Sequence, residues 1–317
     1  MRREGSPWTG VGAVFRRELA DNLSSVRMRF LEVLVVLTGT AAVYAAIGEI
    51  RNLVAEDRFV FLRIFTVARQ PLPSFIAFLA FLIPIVAIAL AFDSVNGEFN
   101  RRTISRVLAQ PIYRDALLFG KFLAGLATLG VFLTALWLFL MGLGILLLGV
   151  PPGGEEFLRG LGFLRAAIAY GGVWLALAML FSILFRAPAT AALAALSCWL
   201  LLAVFWSMIV PLATEVIAPV DPFDPRAQIA AINTAAGLNR LSPNALFAES
   251  TLALLNPGTR SLGPVFASQL HGALVGRPAA GRPELSAHLA AADRPDRSCR
   301  AAVHDRLRSV PAQEIRA

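Results

Sequence analysis

Histidine and cysteine are scarce in this chain. The three histidines, His271, His288 and His304, all lie beyond residue 270, and the two cysteines, Cys198 and Cys299, sit in unlike surroundings. Such a set builds neither a disulfide framework nor a metal site. Charge is short as well. Only 16% of the 317 residues are charged, against about 25% in an ordinary soluble domain. Lysine is reduced to Lys121, so arginine carries the formal charge of +8. The arginines cluster between apolar runs, which argues for membrane orientation and against a nucleic-acid partner. No cleavable signal peptide is expected, since the first apolar run begins near Phe30 and no small-residue cleavage site closely follows it. A phosphate-cradling Gly-x-x-x-x-Gly-Lys-Ser/Thr loop is also missing: Gly120-Lys121 is followed by Phe122 and has Asp115 where the first glycine belongs. ATP chemistry in this chain is therefore excluded, and no catalytic, cofactor-binding or metal-binding residue is assigned.

Long apolar runs are abundant, with 57% of residues hydrophobic. A helix needs about 20 such residues to cross a hydrocarbon core of about 30 Å. Five segments qualify: 30–50, 72–92, 122–150, 163–185 and 189–211. Backbone groups in lipid must be satisfied internally, so each is expected to be helical. Pro84 should kink the second. The fold class is thus an all-α integral membrane protein with five evident spans. Arg2, Arg3, Arg16, Arg17, Arg27 and Arg29 precede span one, Arg101, Arg102, Arg106, Arg114 and Lys121 separate spans two and three, and Arg186 separates four and five. These regions share one side, assigned to the cytoplasm although Arg51, Arg58, Arg63 and Arg69 lie on the other. Lipid is the solvent, and the location is a cell inner (plasma) membrane with the N-terminus cytoplasmic.

The loop after span two is the most informative stretch. Ile104, Val107 and Leu108 fall at helical spacing, with Arg101, Arg102, Ser105 and Arg106 on the other side, and Pro111 forces a stop. This describes a short amphipathic helix on the membrane surface, a pattern that on its own is better explained by the fixing of topology. The residues Phe92-Asp93, Glu98, Thr103, Pro111 with Arg114, and Gly120-Lys121 resemble the loop of the ABC-2 type permease family. The subgroup that includes permeases of nitrous-oxide-reductase maturation systems is the most similar through Phe92 and Asp93. Arg102 departs from the glycine that many relatives carry. Phe15-Arg16-Arg17-Glu18-Leu19 resembles the amphipathic helix before the first span of that family. The likeness covers roughly residues 11 to 260.

The resemblance implies a coupling loop, formed by Asp93, Glu98, Arg101, Arg102, Thr103, Pro111, Arg114 and Lys121, that docks on a cytoplasmic ABC ATPase. ATP and Mg would be bound by that partner, and a second permease copy or a homologue would complete the pore. Residues 11–26 would be an interfacial helix with Val11, Phe15, Leu19 and Val26 toward lipid. Glu18 and Asn22 intrude on that face, turned toward the coupling loop or the ATPase unless the helix is merely frayed. The family implies six spans and export. An ATP-independent transporter or channel, and a membrane scaffold for maturing an extracytoplasmic metalloenzyme, are the competing classes.

Residues 1–29 are read as a cytoplasmic segment and 30–213 as the permease domain. Residues 214–275 are read as external, with a short helix from Arg226 to Leu238. The 276–317 tail is read as low in order. Its Arg/Ala/Pro/Asp/His character resembles GC-rich DNA read out of frame. A compensated frameshift replacing a sixth span is therefore expected, and resequencing the locus tests it. Glu155-Glu156-Phe157-Leu158-Arg159 resembles the paired glutamates of CAAX-type membrane proteases, but the spacing is one residue short and no span holds a histidine, so that activity is rejected. Glu32, one turn inside span one, is read as a snorkelling acid paired with Arg27 or Arg29.

Overall fold

The computed structural model describes residues 10–50, 60–66, 74–100, 114–149, 151–219 and 224–255. Every element in them is helical, and five helices are long and apolar enough to cross a membrane: Met28–Gly48, Phe75–Asn100, Asp115–Leu148, Gly154–Leu184 and Pro188–Ile217. The helices are α1 (Val11–Ser24), α2 (Val26–Ile50), α3 (Val60–Thr66), α4 (Phe75–Ala91), α5 (Asn96–Asn100), α6 (Arg114–Leu148) and α7 (Gly154–Leu184). After them come α8 (Pro188–Leu200), a π-helical turn (Leu201–Phe205), α9 (Trp206–Ile217), α10 (Pro225–Asn239) and α11 (Pro243–Leu255). Ser74 caps α4 by accepting from the Ala77 amide, and Asp224 caps α10 by accepting from that of Arg226. Pro84 lies inside α4, which continues on both sides of it.

Large apolar side chains cover the outside of the bundle. Val216 is 84% exposed and Leu146 81%, and Leu37 and Leu212 are exposed as well. In water such a surface would drive aggregation; in a bilayer it is the expected lipid face. Inside, Trp174 on α7 is wholly buried, and the Tyr170 and Phe247 rings stack 4.4 Å apart. Among the described glycines, Gly171 has the closest side-chain neighbour. A Cβ there would lie 2.2 Å from Leu129 on α6 and 2.9 Å from Ile83 on α4, so three spans meet where only hydrogen fits.

The two ends of the bundle are set by hydrogen bonds to opposite ends of α7. At its N-terminus Glu156, itself buried, accepts from the Gly153 amide at 2.8 Å and from the Phe61 amide of α3 at 3.0 Å. One carboxylate thereby satisfies donors at two helix starts. Phe61 and Ile64 fill the space beside Gly144 of α6. The acid rejected above as catalytic is therefore a structural clasp for α3. Among the described residues no group of three or more His, Cys, Asp or Glu converges to hold a metal. Replacing Glu156 by alanine strands two amides and is expected to lower stability by about 1–3 kcal/mol, with glutamine in between. Thermal unfolding in detergent checks this; an alanine variant as stable as the parent would contradict it.

The segment after span five, read above as external with a short helix over 226–238, holds α10 and α11. Over residues 225–255 it forms a hairpin that folds back along the bundle. Trp206 Nε1 donates to the Leu238 carbonyl at 3.0 Å, and Ser242 Oγ donates to the Leu202 carbonyl at 2.9 Å. The hairpin turn therefore lies level with the middle of the Pro188–Ile217 span. From there α11 runs back along α7, where Leu254 packs on Gly162 and Arg159 donates to the Leu254 carbonyl. At 15 and 13 residues, α10 and α11 are each too short to register as a span. The Ser242 hydroxyl finds its partner, the Leu202 carbonyl, within the π-helical turn. Residues 256–317, with the proposed frameshift and the missing sixth span, lie outside the described residues.

Candidate functional site

The end of the bundle opposite α3 gathers α1, α5, the start of α6 and the end of α7. Helix α1 crosses α6 at Gly120, where a Cβ would meet Val14 Cβ at 2.9 Å and the Val11 carbonyl oxygen at 3.2 Å. Glycine is thus the residue that lets the two backbones touch. Val11, Val14 and Glu18 recur at three- and four-residue spacing, so one stripe of α1 faces α6. Val14 is the buried member, while Phe15 and Leu19 are half-buried and Arg16 and Arg17 exposed. Arg17 forms an exposed 3.8 Å pair with Asp21 of the same helix, a contact that contributes little.

Glu18 is not an intruder on a lipid stripe; it faces the protein. Its Oε1 accepts from Lys121 Nζ at 2.7 Å, and Glu98 Oε1 lies 2.8 Å from the same nitrogen. The Lys121 side chain is 4% exposed and the carboxylates 21% and 19%. The chain's single lysine therefore stands at the junction of three elements, α1, α5 and α6. An unpaired ammonium buried this deeply would be strongly unfavourable. Two carboxylates at hydrogen-bonding distance offset that cost, and an amine with three donors has room for both.

Helix α5 continues the chain beyond α4 and is pinned on its other side to α7. The Val95 and Asn96 amides donate to Ser182 Oγ at 3.1 and 3.3 Å. Asn96 Nδ2 donates to the Phe185 carbonyl and Asn100 Nδ2 to that of Arg186, both at 3.2 Å. Two side chains of this short helix thus bind the carbonyls of the two residues that follow α7. Asp93 lies in the turn that leads into α5, and the Gly97 amide donates to its backbone carbonyl. The loop head is held between two bodies, α1 with α6 on one side and the end of α7 on the other.

Of the residues singled out from sequence, Glu18, Glu98 and Lys121 come together, and Phe15, Arg16 and Arg17 lie on the adjoining helix. Arg101, Arg102, Thr103 and Pro111 fall outside the described residues, as does the Ile104–Leu108 surface helix; Arg114 is described only as the first residue of α6. Asn96, Asn100 and Ser182 were not picked out, because an amide and a hydroxyl carry no motif until the fold places them at a helix end. Glu32 is half-buried on α2 and forms no ion pair among the described residues.

The model of the ABC-2 family transporter proteins matches residues 12–261 of this chain. Among curated proteins, a probable ABC transporter permease protein NosY of Pseudomonas aeruginosa is 31% identical over 199 residues, covering 60% of this chain and 65% of that protein. The match thus spans slightly less than two thirds of that relative's length.

Proposed function

The chain belongs to the ABC-2 family of transporter proteins, and from that premise we propose that it is the membrane-spanning permease subunit of an ABC exporter. It is a multi-pass membrane protein with no covalent chemistry of its own in this reading. A separate cytoplasmic ATPase binds ATP and Mg, a second permease copy or a homologue completes the path, and nucleotide-driven closure pushes the loop between spans two and three. The chain then lies in the inner membrane with its N-terminus and α5 on the ATPase side. The observation that supports this reading best is the docking of α5: its side chains are bonded to the end of α7 and its carboxylate to Lys121, so a push on the loop reaches spans three and four directly.

Co-purification with the ATPase encoded nearest to the gene tests the proposal. The wild-type chain is expected to retain it. Glu98→Lys with Arg101→Glu should weaken the complex about 30-fold, equivalent to about 2 kcal/mol. Because Glu98 also holds Lys121, Arg101→Glu alone separates a lost contact from a disturbed fold, and it too should release ATPase. Full retention by Arg101→Glu, or no ATPase bound by the wild-type chain, would contradict the reading.

A further inference from the structure

We propose that Lys121 is a shared latch: one ammonium ties both α1 and α5 to the start of span three, so that α1 follows a push delivered to the loop. The transmission half of this inference rests on the reading of that loop as the ATPase contact. The tether itself rests on geometry alone.

Helices α1 and α5 are far apart in sequence and are joined here through one nitrogen, at 2.7 Å from Glu18 and 2.8 Å from Glu98. Because both acceptors draw on the same buried donor, displacement of either changes the field in which the other sits. The opposite face of α5 is held differently. Its bonds to Ser182, Phe185 and Arg186 are made by amides and a hydroxyl, with no charged donor or acceptor. Separating a buried ion pair is harder than exchanging neutral hydrogen bonds with water at the end of a helix. Under load, the joint between α5 and α7 is the one that opens, and the latch keeps α1, α5 and the start of α6 together as a moving body. Lys121 acts here as a positioning residue, through Glu98 and Glu18, on α1.

Spin-label distances in the full chain, reconstituted in nanodiscs with Cys198→Ser and Cys299→Ser, test the tether. Labels go at Arg17 on α1, Phe99 on α5 and Val131 on α6, all exposed. In the parent both the Arg17–Val131 and Phe99–Val131 distributions should be single and narrow. Glu18→Gln should cost the first its narrow peak and leave the second; Glu98→Gln should do the reverse. The charge-exchanged set Lys121→Glu, Glu18→Lys and Glu98→Lys should restore both peaks, which a variant that simply misfolds would not. If Glu18→Gln leaves Arg17–Val131 as narrow as the parent, the Val14–Gly120 crossing holds α1 unaided and the latch is refuted. In the complex with its ATPase, ATP and vanadate should shift both labels relative to Val131. Glu18→Gln should abolish the Arg17 shift and spare that of Phe99. A parent complex in which neither label shifts overturns the coupling reading and the transmission half, while the nanodisc distances still decide the tether.

Discussion

Lys121→Met lowers the stability of the isolated chain by about 3–5 kcal/mol, the loss expected when one partner is removed from a buried ion pair. The methionine fills nearly the same volume, so lost packing contributes little. What remains is electrostatic: the Glu18 and Glu98 carboxylates, each about one-fifth exposed, face one another without the ammonium between them. Thermal unfolding in detergent should show a lower midpoint. The triple variant Lys121→Met, Glu18→Gln and Glu98→Gln should recover most of the loss, because removing all three charges also removes the uncompensated ones. Lys121→Arg should rescue in part, since a planar fork does not place its donors as an ammonium does. A Lys121→Met chain that melts with the parent would mean that the ion pairs contribute nothing, and the site would lose its physical basis.

Gly171→Leu destabilises the centre of the bundle by about 3 kcal/mol or more, the upper range for overpacking. The reason is local. A Cβ at this position would already lie 2.2 Å from Leu129 Cδ2 and 2.9 Å from Ile83 Cγ2, before the rest of the side chain is added. Helices α4, α6 and α7 must separate, and a core packed to crystal-like density has no slack to absorb that. Gly142 on α6 is the control, since nothing stands within 4 Å of its Cβ position and leucine there should be tolerated. Gly171→Ala combined with Leu129→Ala should restore most of what Gly171→Ala alone loses. Monodispersity on gel filtration and the unfolding midpoint report both effects. Equal behaviour of Gly171→Leu and Gly142→Leu would contradict the packing described here.

The spans were legible because one property, the length of an apolar run, decides them. Their ends were not: α6 begins at Arg114 and α7 at Gly154, well ahead of the apolar runs, because polar turns outside the hydrocarbon stay helical. Helix α10 (Pro225–Asn239) was legible as a helix over 226–238, but α11 and the folding back of the hairpin were not. Each arm is shorter than a bilayer, and polar residues such as Arg240 and Glu249, paired at 2.7 Å, make the stretch look external. At the candidate site, Glu18, Glu98 and Lys121 were each visible as members of a motif, but their convergence was not. Glu18 and Lys121 are 103 residues apart, and only the close approach of α1 to Gly120 brings them into contact. Glu156 carried a misleading signal: paired glutamates suggest catalysis, whereas its partners are the Phe61 and Gly153 amides. Such partners cannot be read from a motif.

The account depends on α5 standing on the side of the membrane where an ATPase can reach it. Cysteine labelling with a membrane-impermeant maleimide tests that directly, in the Cys198→Ser, Cys299→Ser chain. Phe99, 58% exposed on α5, and Gly154, exposed at the far end of α7, are replaced by cysteine one at a time. The account predicts that Gly154→Cys is labelled in intact cells, and Phe99→Cys only in inverted vesicles or after permeabilisation. Labelling of Phe99→Cys from outside intact cells would contradict it.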